Sequence, residues 1–102
     1  MSSSHVTPVS RVRPGWTFLT SHAVVLVEVA RNENATIREI ADRVNLTERQ
    51  AHRVLVDLVE AGYIERRRIG RRNSYRIDDS LSMRHPVVAD VRIGDLLKVL
   101  AP

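Results

Sequence analysis

The sequence predicts a mainly α-helical fold with one small β-hairpin. Two sequences typical of helix starts, Thr36-Ile-Arg-Glu39 and Thr47-Glu-Arg-Gln50, lie so close together that only two residues join their helices. A strand-like segment with turn residues in its middle follows the third helix, and a further helical pattern ends the chain. We expect a flexible arm over residues 1–15 and a domain over residues 16–102. This domain would combine a three-helix core, the hairpin and an added helix at about 91–101.

The first helix is predicted from about Thr20, over the sequence SHAVVLVEVAR, and is apolar on nearly all sides. One stripe at helical spacing is formed by Ala23, Leu26, Val27 and Ala30, and it is widened by Val24, Val25 and Val29. A helix with so wide an apolar surface is usually covered on more than one side.

The second and third helices form a closely connected pair. The second helix has apolar residues at helical spacing: Ile37, Ile40, Ala41 and Val44. Asn45 follows, a residue that tolerates the left-handed conformation in which helices often end. Leu46 is the apolar residue of the connection, and Thr47 begins the next helix. So short a connection holds the two helices at a steep angle, which is a helix-turn-helix arrangement.

The third helix, predicted over TERQAHRVLVDLVEAG, has two different faces. Its core face carries apolar residues at helical spacing: Ala51, Val54, Leu55, Leu58 and Val59. The opposite face, near the N-terminal end, carries Arg49, His52, Arg53 and Val56. Gly62 ends the helix, as a glycine just past a helix C-terminus often does.

The segment after the third helix, IERRRIGRRNSYRID, concentrates the charge of the chain. Residues 63–77 carry six arginines and one glutamate, a net charge of +5, whereas residues 1–62 are balanced and residues 78–102 carry −1. Tyr63 and Ile64 open one strand, residues 70–73 supply the turn with Arg71 and Arg72 at its tip, and residues 74–77 return. One basic patch on an otherwise balanced chain is typical of a polyanion-binding site.

The last predicted helix, VRIGDLLKVL, has one apolar face: Ile93, Leu96, Leu97 and Leu100. A chain of 102 residues has only a modest core, so an apolar face at its terminus favours pairing with a second copy. We expect a homodimer built from this face and the first helix, with Val25 and Val29 in the interface. The alternative is a monomer in which the last helix folds back onto its own first helix.

Other classes of function find little support in the sequence. The chain has no cysteine, and no two of its four histidines have metal-ligand spacing, so we expect no metal and no cofactor. No nucleophile lies in a known catalytic motif, so we expect that the chain is not an enzyme. No stretch reaches the ~18 apolar residues of a membrane span, which predicts a cytoplasmic protein without a membrane partner. A small-molecule effector in a pocket lined by Trp16 is an alternative without support.

The stretch TIREIADRVNLTERQAHRVLVDLVEAGYI, followed by RRRIGRRNSYRI, resembles the winged helix-turn-helix regulators of the broad MarR/ArsR group. The resemblance covers about residues 16–79, and the helix beyond it matches the dimerising additions that such proteins often carry. It implies that the helix from Thr47 enters the major groove of double-stranded DNA. It also implies a transcriptional regulator, for which we expect repression because so small a domain has no evident activation surface.

The resemblance and the chemistry of the side chains predict which residues contact DNA. We expect Arg49, His52 and Arg53 to contact base edges, because arginine can bond both acceptors of a guanine. Contacts to phosphates or the minor groove are expected from Thr47, Gln50, Arg66, Arg67, Arg68, Arg71, Arg72 and Arg76. Arg11 and Arg13 of the arm would either reach along the minor groove or make no contact. A two-fold dimer predicts an inverted-repeat operator.

Three alternatives to this hypothesis are left open by the sequence. The polyanion would be RNA in the first, and an acidic protein would contact the hairpin in the second. In the third, Arg49 and Arg53 are simply solvated helix positions, with Glu48 and Asp57 as ion-pair partners.

Overall fold

The computed structural model describes residues 15–102 and confirms a mainly α-helical fold with one hairpin. Its elements are α1 (Ser21–Arg31), α2 (Ile37–Val44), α3 (Glu48–Glu60), β1 (Ile64–Ile69), β2 (Arg72–Ile77), a short 3-10 helix (Pro86–Val88) and α4 (Ile93–Leu100). None of the helices in this part of the chain has the length and apolar character that crossing a membrane requires. The predicted arm, with Arg11 and Arg13, lies outside the described residues except for Gly15.

The core lies where α1, α2, α3 and the base of the hairpin meet. Its largest fully buried side chains are Ile40, Val25 and Val29. The stripe predicted for α1 is therefore wrong in part, because Val25, Leu26 and Val29 form the buried side while Ala30 is exposed. On a helix that is apolar nearly all round, the packing of α2 and α3 decides which side is buried.

The connection between α2 and α3 has the predicted geometry. Asn45 adopts the left-handed conformation, with φ of 61°, and the Leu46 amide donates to the Ala41 carbonyl at 2.9 Å. Leu46 itself is half-buried against the core. Both capping boxes are confirmed: Thr36 with Glu39, and Thr47 with Gln50, each joined by two reciprocal hydrogen bonds. Hydrogen bonds and caps therefore constrain the backbone of the whole connection between α2 and α3.

A glycine turn joins α3 directly to the hairpin. Gly62 has φ of 88°, and the amides of Gly62 and Tyr63 donate to the carbonyls of Val59 and Leu58, both at 3.0 Å. These two bonds define a Schellman motif, which satisfies carbonyls that the helix end leaves free. The hairpin is fixed at its other edge as well, because the Tyr75 amide donates to the Glu33 carbonyl at 3.0 Å. We call this hairpin, residues 64–77, the wing. It is held by both α3 and the α1–α2 loop.

The C-terminal helix folds back onto the chain's own α1, as in the packing of the monomeric alternative. The Arg31 guanidinium donates to the Leu100 carbonyl at 2.8 Å. At the start of α4, the Gly94 amide donates to the Asp79 carbonyl, and Gly94 packs closely against Asp79 in the segment after β2. Ile93 is only 6% exposed, and Leu97 packs at the edge of the core.

This packing corrects the predicted subunit interface. Val25, Val29 and Ile93 are buried within the chain's own core, so their assignment to an interface is wrong. A partner could reach them only by opening the core. Of the predicted residues, Leu96, Leu97 and Leu100 stay half-buried and accessible.

The cap of α3 gives a direct test of the helix-turn-helix geometry. We expect Thr47→Ala to lower the free energy of unfolding by ~1 kcal/mol, because the Gln50 amide loses its hydroxyl acceptor. Thr47→Ser keeps that acceptor and should unfold nearly as the parent does. Urea titrations of the three proteins check this, and equal losses for Ala and Ser would contradict the role of the cap.

Candidate nucleic-acid interface

The exposed face of α3 carries three polar side chains that have no partner within residues 15–102. Arg49, His52 and Arg53 are all exposed, and Val56 continues the same face one turn further as a half-buried residue. Among the described residues, neither arginine forms an ion pair or a side-chain hydrogen bond. Their donors therefore point to solvent at the N-terminal half of the helix, where a ligand can reach them.

The acidic residues near this face are occupied by other bases. Glu48 lies 3.8 Å from Arg38 of α2, and Asp57 accepts a hydrogen bond from His22 of α1 at 2.8 Å. The interpretation in which Glu48 and Asp57 pair with Arg49 and Arg53 is therefore wrong. Both observed pairs are exposed and contribute little to stability, but they leave the two arginines uncompensated.

The N-terminal end of α3 keeps donors available despite its capping box. The box satisfies the amides of Thr47 and Gln50, so that the amides of Glu48 and Arg49 are the remaining free donors of the first turn. Thr47 and Gln50 use their oxygens as acceptors within the box, and the Thr47 hydroxyl proton and Gln50 amide protons can still be donated. Such a helix end favours a phosphate on both electrostatic and hydrogen-bonding grounds.

The hairpin register divides the wing arginines between two faces. Arg66 pairs across the hairpin with Tyr75 and Arg68 with Asn73, whereas Arg67 pairs with Ser74. Because side chains alternate along a strand, Arg66 and Arg68 share the face of buried Ile64 and Tyr75. We call this the inner face. The outer face carries Glu65, Arg67, Arg72 and Arg76.

Two outer-face arginines have partners within the chain. The Arg67 guanidinium donates through two nitrogens to one oxygen of Glu65, both at 3.2 Å. Arg72 donates to the Asn34 carbonyl at 3.4 Å. The wing's charge of +5 is therefore not a uniform patch, because its only acid compensates an outer-face arginine and leaves inner-face Arg66 without an ion pair among the described residues.

The wing tip is shorter than the sequence indicated. Gly70 and Arg71 alone form the turn, and Gly70 has the positive φ, 63°, that type II′ hairpin turns place at their first position. Arg72 is the first residue of β2, paired with Ile69, so its assignment to the tip is wrong. Sequence reasoning missed Ile69, which is 64% exposed beside the turn. The signal that could have identified it is an apolar residue next to the turn glycine, inside a run of arginines.

A groove of about 210 Å³ separates α3 from the inner face of the wing. His52 and Val56 line it from the helix, and Arg66 and Tyr75 line it from the hairpin. Burial raises the pKa of the Tyr75 phenol, and the nearby Arg66 guanidinium partly offsets this by favouring the phenolate. The groove therefore brings His52 of α3 and inner-face Arg66 to one surface, and Glu60 of α3 also belongs to its lining.

The described histidines are not arranged as metal ligands. His22 bonds to Asp57, His52 lies on the exposed face of α3, and the His85 ring accepts from the Val87 amide. Within residues 15–102, no group of three or more His, Cys, Asp or Glu side chains could hold a metal ion.

Comparisons with known proteins give similarities to regulators. The model of the MarR family matches residues 17–71, which is more than half of the chain and runs from the start of the described region to the wing tip. LexA repressors of Thermotoga neapolitana and of its strain NS-E are each 38% identical over 60 residues, or 59% of this chain. The matches cover 30% and 28% of those two proteins, so the chain spans less than a third of their length.

The phenol of Tyr75 tests which wing arginine faces the groove. Replacing Arg66 by Gln removes a positive charge that favours the phenolate, so the pKa of Tyr75 should rise further. Arg67→Gln, on the outer face, should leave it unchanged. An NMR titration of isotope-labelled tyrosine follows the ring directly, and a larger effect from Arg67→Gln than from Arg66→Gln would contradict the register.

Proposed function

Since the chain belongs to the MarR family, we propose that it is a cytoplasmic transcriptional regulator that binds double-stranded DNA sequence-specifically as a homodimer and represses transcription. The observation that carries this proposal is the unpaired arginine face of α3 beside a basic wing. The two partial relatives are both LexA repressors, which supports the direction of regulation.

The polar face of α3 is suited to contacts with base edges in the major groove. The major groove of B-DNA admits one α-helix, and arginine bonds guanine there through two parallel hydrogen bonds. Arg49 and Arg53 are exposed and uncompensated, as such contacts require, and His52 lies between them in the sequence. The free amides at the start of α3 would fix the helix on a phosphate.

The wing would contact the DNA backbone and the minor groove next to the α3 site. Arg66 lies on the inner face and lines the groove beside α3, so it is the best-placed phosphate contact. Arg68 shares that face, and its guanidinium donates to the Gly70 carbonyl at 3.3 Å. At the tip, Arg71 would enter the minor groove, and exposed Ile69 would act as an apolar wedge between base steps. The outer face carries Arg67, Arg72 and Arg76. These residues would contact DNA only if the duplex bends around the wing.

The homodimer would form through the accessible side of α4. Leu96, Val99 and Leu100 lie at i, i+3 and i+4, which places them on one side of the helix, and Val99 is 76% exposed. A two-fold axis at this surface would present two α3 helices about one DNA turn apart, ~34 Å, which requires an inverted-repeat operator.

Selection of bound duplexes from a random pool at about 150 mM salt tests the proposal as a whole. A symmetric enriched motif is the expected result. No enrichment, with displacement of duplex by structured RNA at equal phosphate concentration, would favour the RNA-binding alternative. No binding of either nucleic acid would favour a protein-interaction module.

A base-contacting arginine should affect preferred and random DNA differently. We expect Arg53→Ala to weaken binding of the selected sequence by roughly 1 to 3 kcal/mol and to relax one position of it. Arg92→Ala, which removes an exposed arginine far along the chain, is the matched control and should change neither affinity. Fluorescence anisotropy on both duplexes checks this, and equal losses on both would show that Arg53 contacts no base.

The two faces of the wing should differ in salt dependence. Arg66→Gln should reduce the slope of log affinity against log salt by about 0.9, the value for one lost phosphate contact. Arg67→Gln should reduce it less, because that guanidinium is already paired with Glu65. The two variants have the same net charge, so equal slopes would contradict the assignment of the inner face to DNA.

The accessible side of α4 should control the oligomeric state. Light scattering at micromolar concentration is expected to give about twice the 11.6 kDa chain mass, and Val99→Glu should halve it. Val87→Glu alters an equally exposed valine on the 3-10 helix and should leave the dimer intact. A parent of single-chain mass, or a Val99→Glu protein that stays paired, rules out this interface.

A further inference from the structure

A cleft of about 570 Å³ lies between the start of α1, the end of α3 and the segment that leads into α4. Its walls are mainly apolar and include Leu26, Leu58, Met83, Ile93 and Leu96. None of the residues assigned to DNA contacts on α3 or on the wing lines it. A cavity of this size matches a small molecule or a few large side chains.

Two aromatic side chains near the rim of this cleft are left exposed. Trp16 is 72% and Phe18 is 91% exposed, and their rings pack edge-to-face with centroids 5.0 Å apart. They precede Thr20, which lines the cleft, by four and two residues, yet neither ring lines it. One end of α1 thus carries both an apolar projection and an apolar concavity that the projection does not fill.

We propose that Trp16 and Phe18 of a second copy fill this cleft, and that each copy does the same for the other. This inference rests on the homodimer of the proposed function and names the contact that completes it. A two-fold axis makes such an exchange reciprocal, because the surface that one copy offers is the surface that the other receives. Edge-to-face packing already presents the two rings as one projection.

The area that the exchange would bury is a large part of what a specific interface needs. Each buried aromatic side chain removes roughly 150 to 250 Å² from water, so four of them remove about 600 to 1,000 Å². The covered walls of the two clefts and the accessible side of α4 would add to this area, and specific interfaces bury ~1,200 to 2,000 Å² in total. Leu96 belongs both to the cleft and to the accessible side of α4, so the two surfaces form one continuous interface with Val99.

The single tryptophan of the chain makes the contact directly measurable, because all indole fluorescence comes from Trp16. With rising protein concentration, emission should shift to the blue and iodide quenching should fall. Both changes should follow the doubling of mass in light scattering. Shielding in a protein of single-chain mass would mean that the rings fill their own cleft, and it would overturn the proposal.

A mixing experiment separates exchange between copies from other causes. Ala23→Gln fills the cleft from half-buried Ala23 on α1 but keeps Trp16, and Trp16→Phe keeps the cleft but carries no indole. The Ala23→Gln protein alone should emit as exposed tryptophan, and adding a Trp16→Phe excess should restore the blue shift. Ala61→Gln, which fills the cleft from half-buried Ala61 at the end of α3, repeats the test if circular dichroism shows Ala23→Gln unfolded.

The outcomes also separate this inference from the proposed function. An exposed Trp16 in a protein of doubled mass overturns the exchange and leaves the homodimer standing, with the cleft then available to a small molecule. A single-chain mass at every concentration overturns both. Restored shielding in the mixture establishes the exchange.

Discussion

The two-residue connection between α2 and α3 is the constraint on which the rest of the structure depends. Asn45 adopts the left-handed conformation, Leu46 packs against the edge of the core, and Thr47, the next residue, caps α3. With no residue free to rotate, the orientation of α3 against α2 is fixed. One side of α3 is then buried against the core, and the side with Arg49 and Arg53 is held outward. The Schellman turn at Gly62 transmits the same orientation to the wing.

Charge on this surface is arranged by pairing as much as by composition. The acids closest to the arginines of α3 are held by Arg38 and His22, both from other helices. On the wing, Glu65 compensates Arg67 and leaves Arg66 beside the α3 groove. The groove therefore keeps an arginine that forms no ion pair among the described residues. Since exposed ion pairs add little stability, their main consequence here is electrostatic.

Features set by local chemistry were predictable from the sequence, and those set by packing were not. The capping boxes, the left-handed Asn45 and the end of α3 at Gly62 depend on residues within a few positions of one another. The buried side of α1 depends on α2 and α3, so the sequence alone does not show that Val25 and Val29 belong to the core and not to an interface. Arg72 belongs to β2 and not to the tip, because the turn has only two residues and strand pairing therefore begins at Arg72. The cleft and its exposed aromatics involve residues 16 to 96, and no local pattern indicates them.

The central claim is that the outward side of α3 and the inner face of the wing form one DNA-binding surface. Mapping backbone amide shifts by NMR, during titration with the selected duplex, tests it most directly. The account predicts that the perturbed amides cluster at residues 48–53 and 66–71. The amide chemical shifts of α4 should not change when the titration is run at a protein concentration at which the dimer is fully formed. Perturbations confined to the wing, or centred on α4 and the cleft, would contradict it.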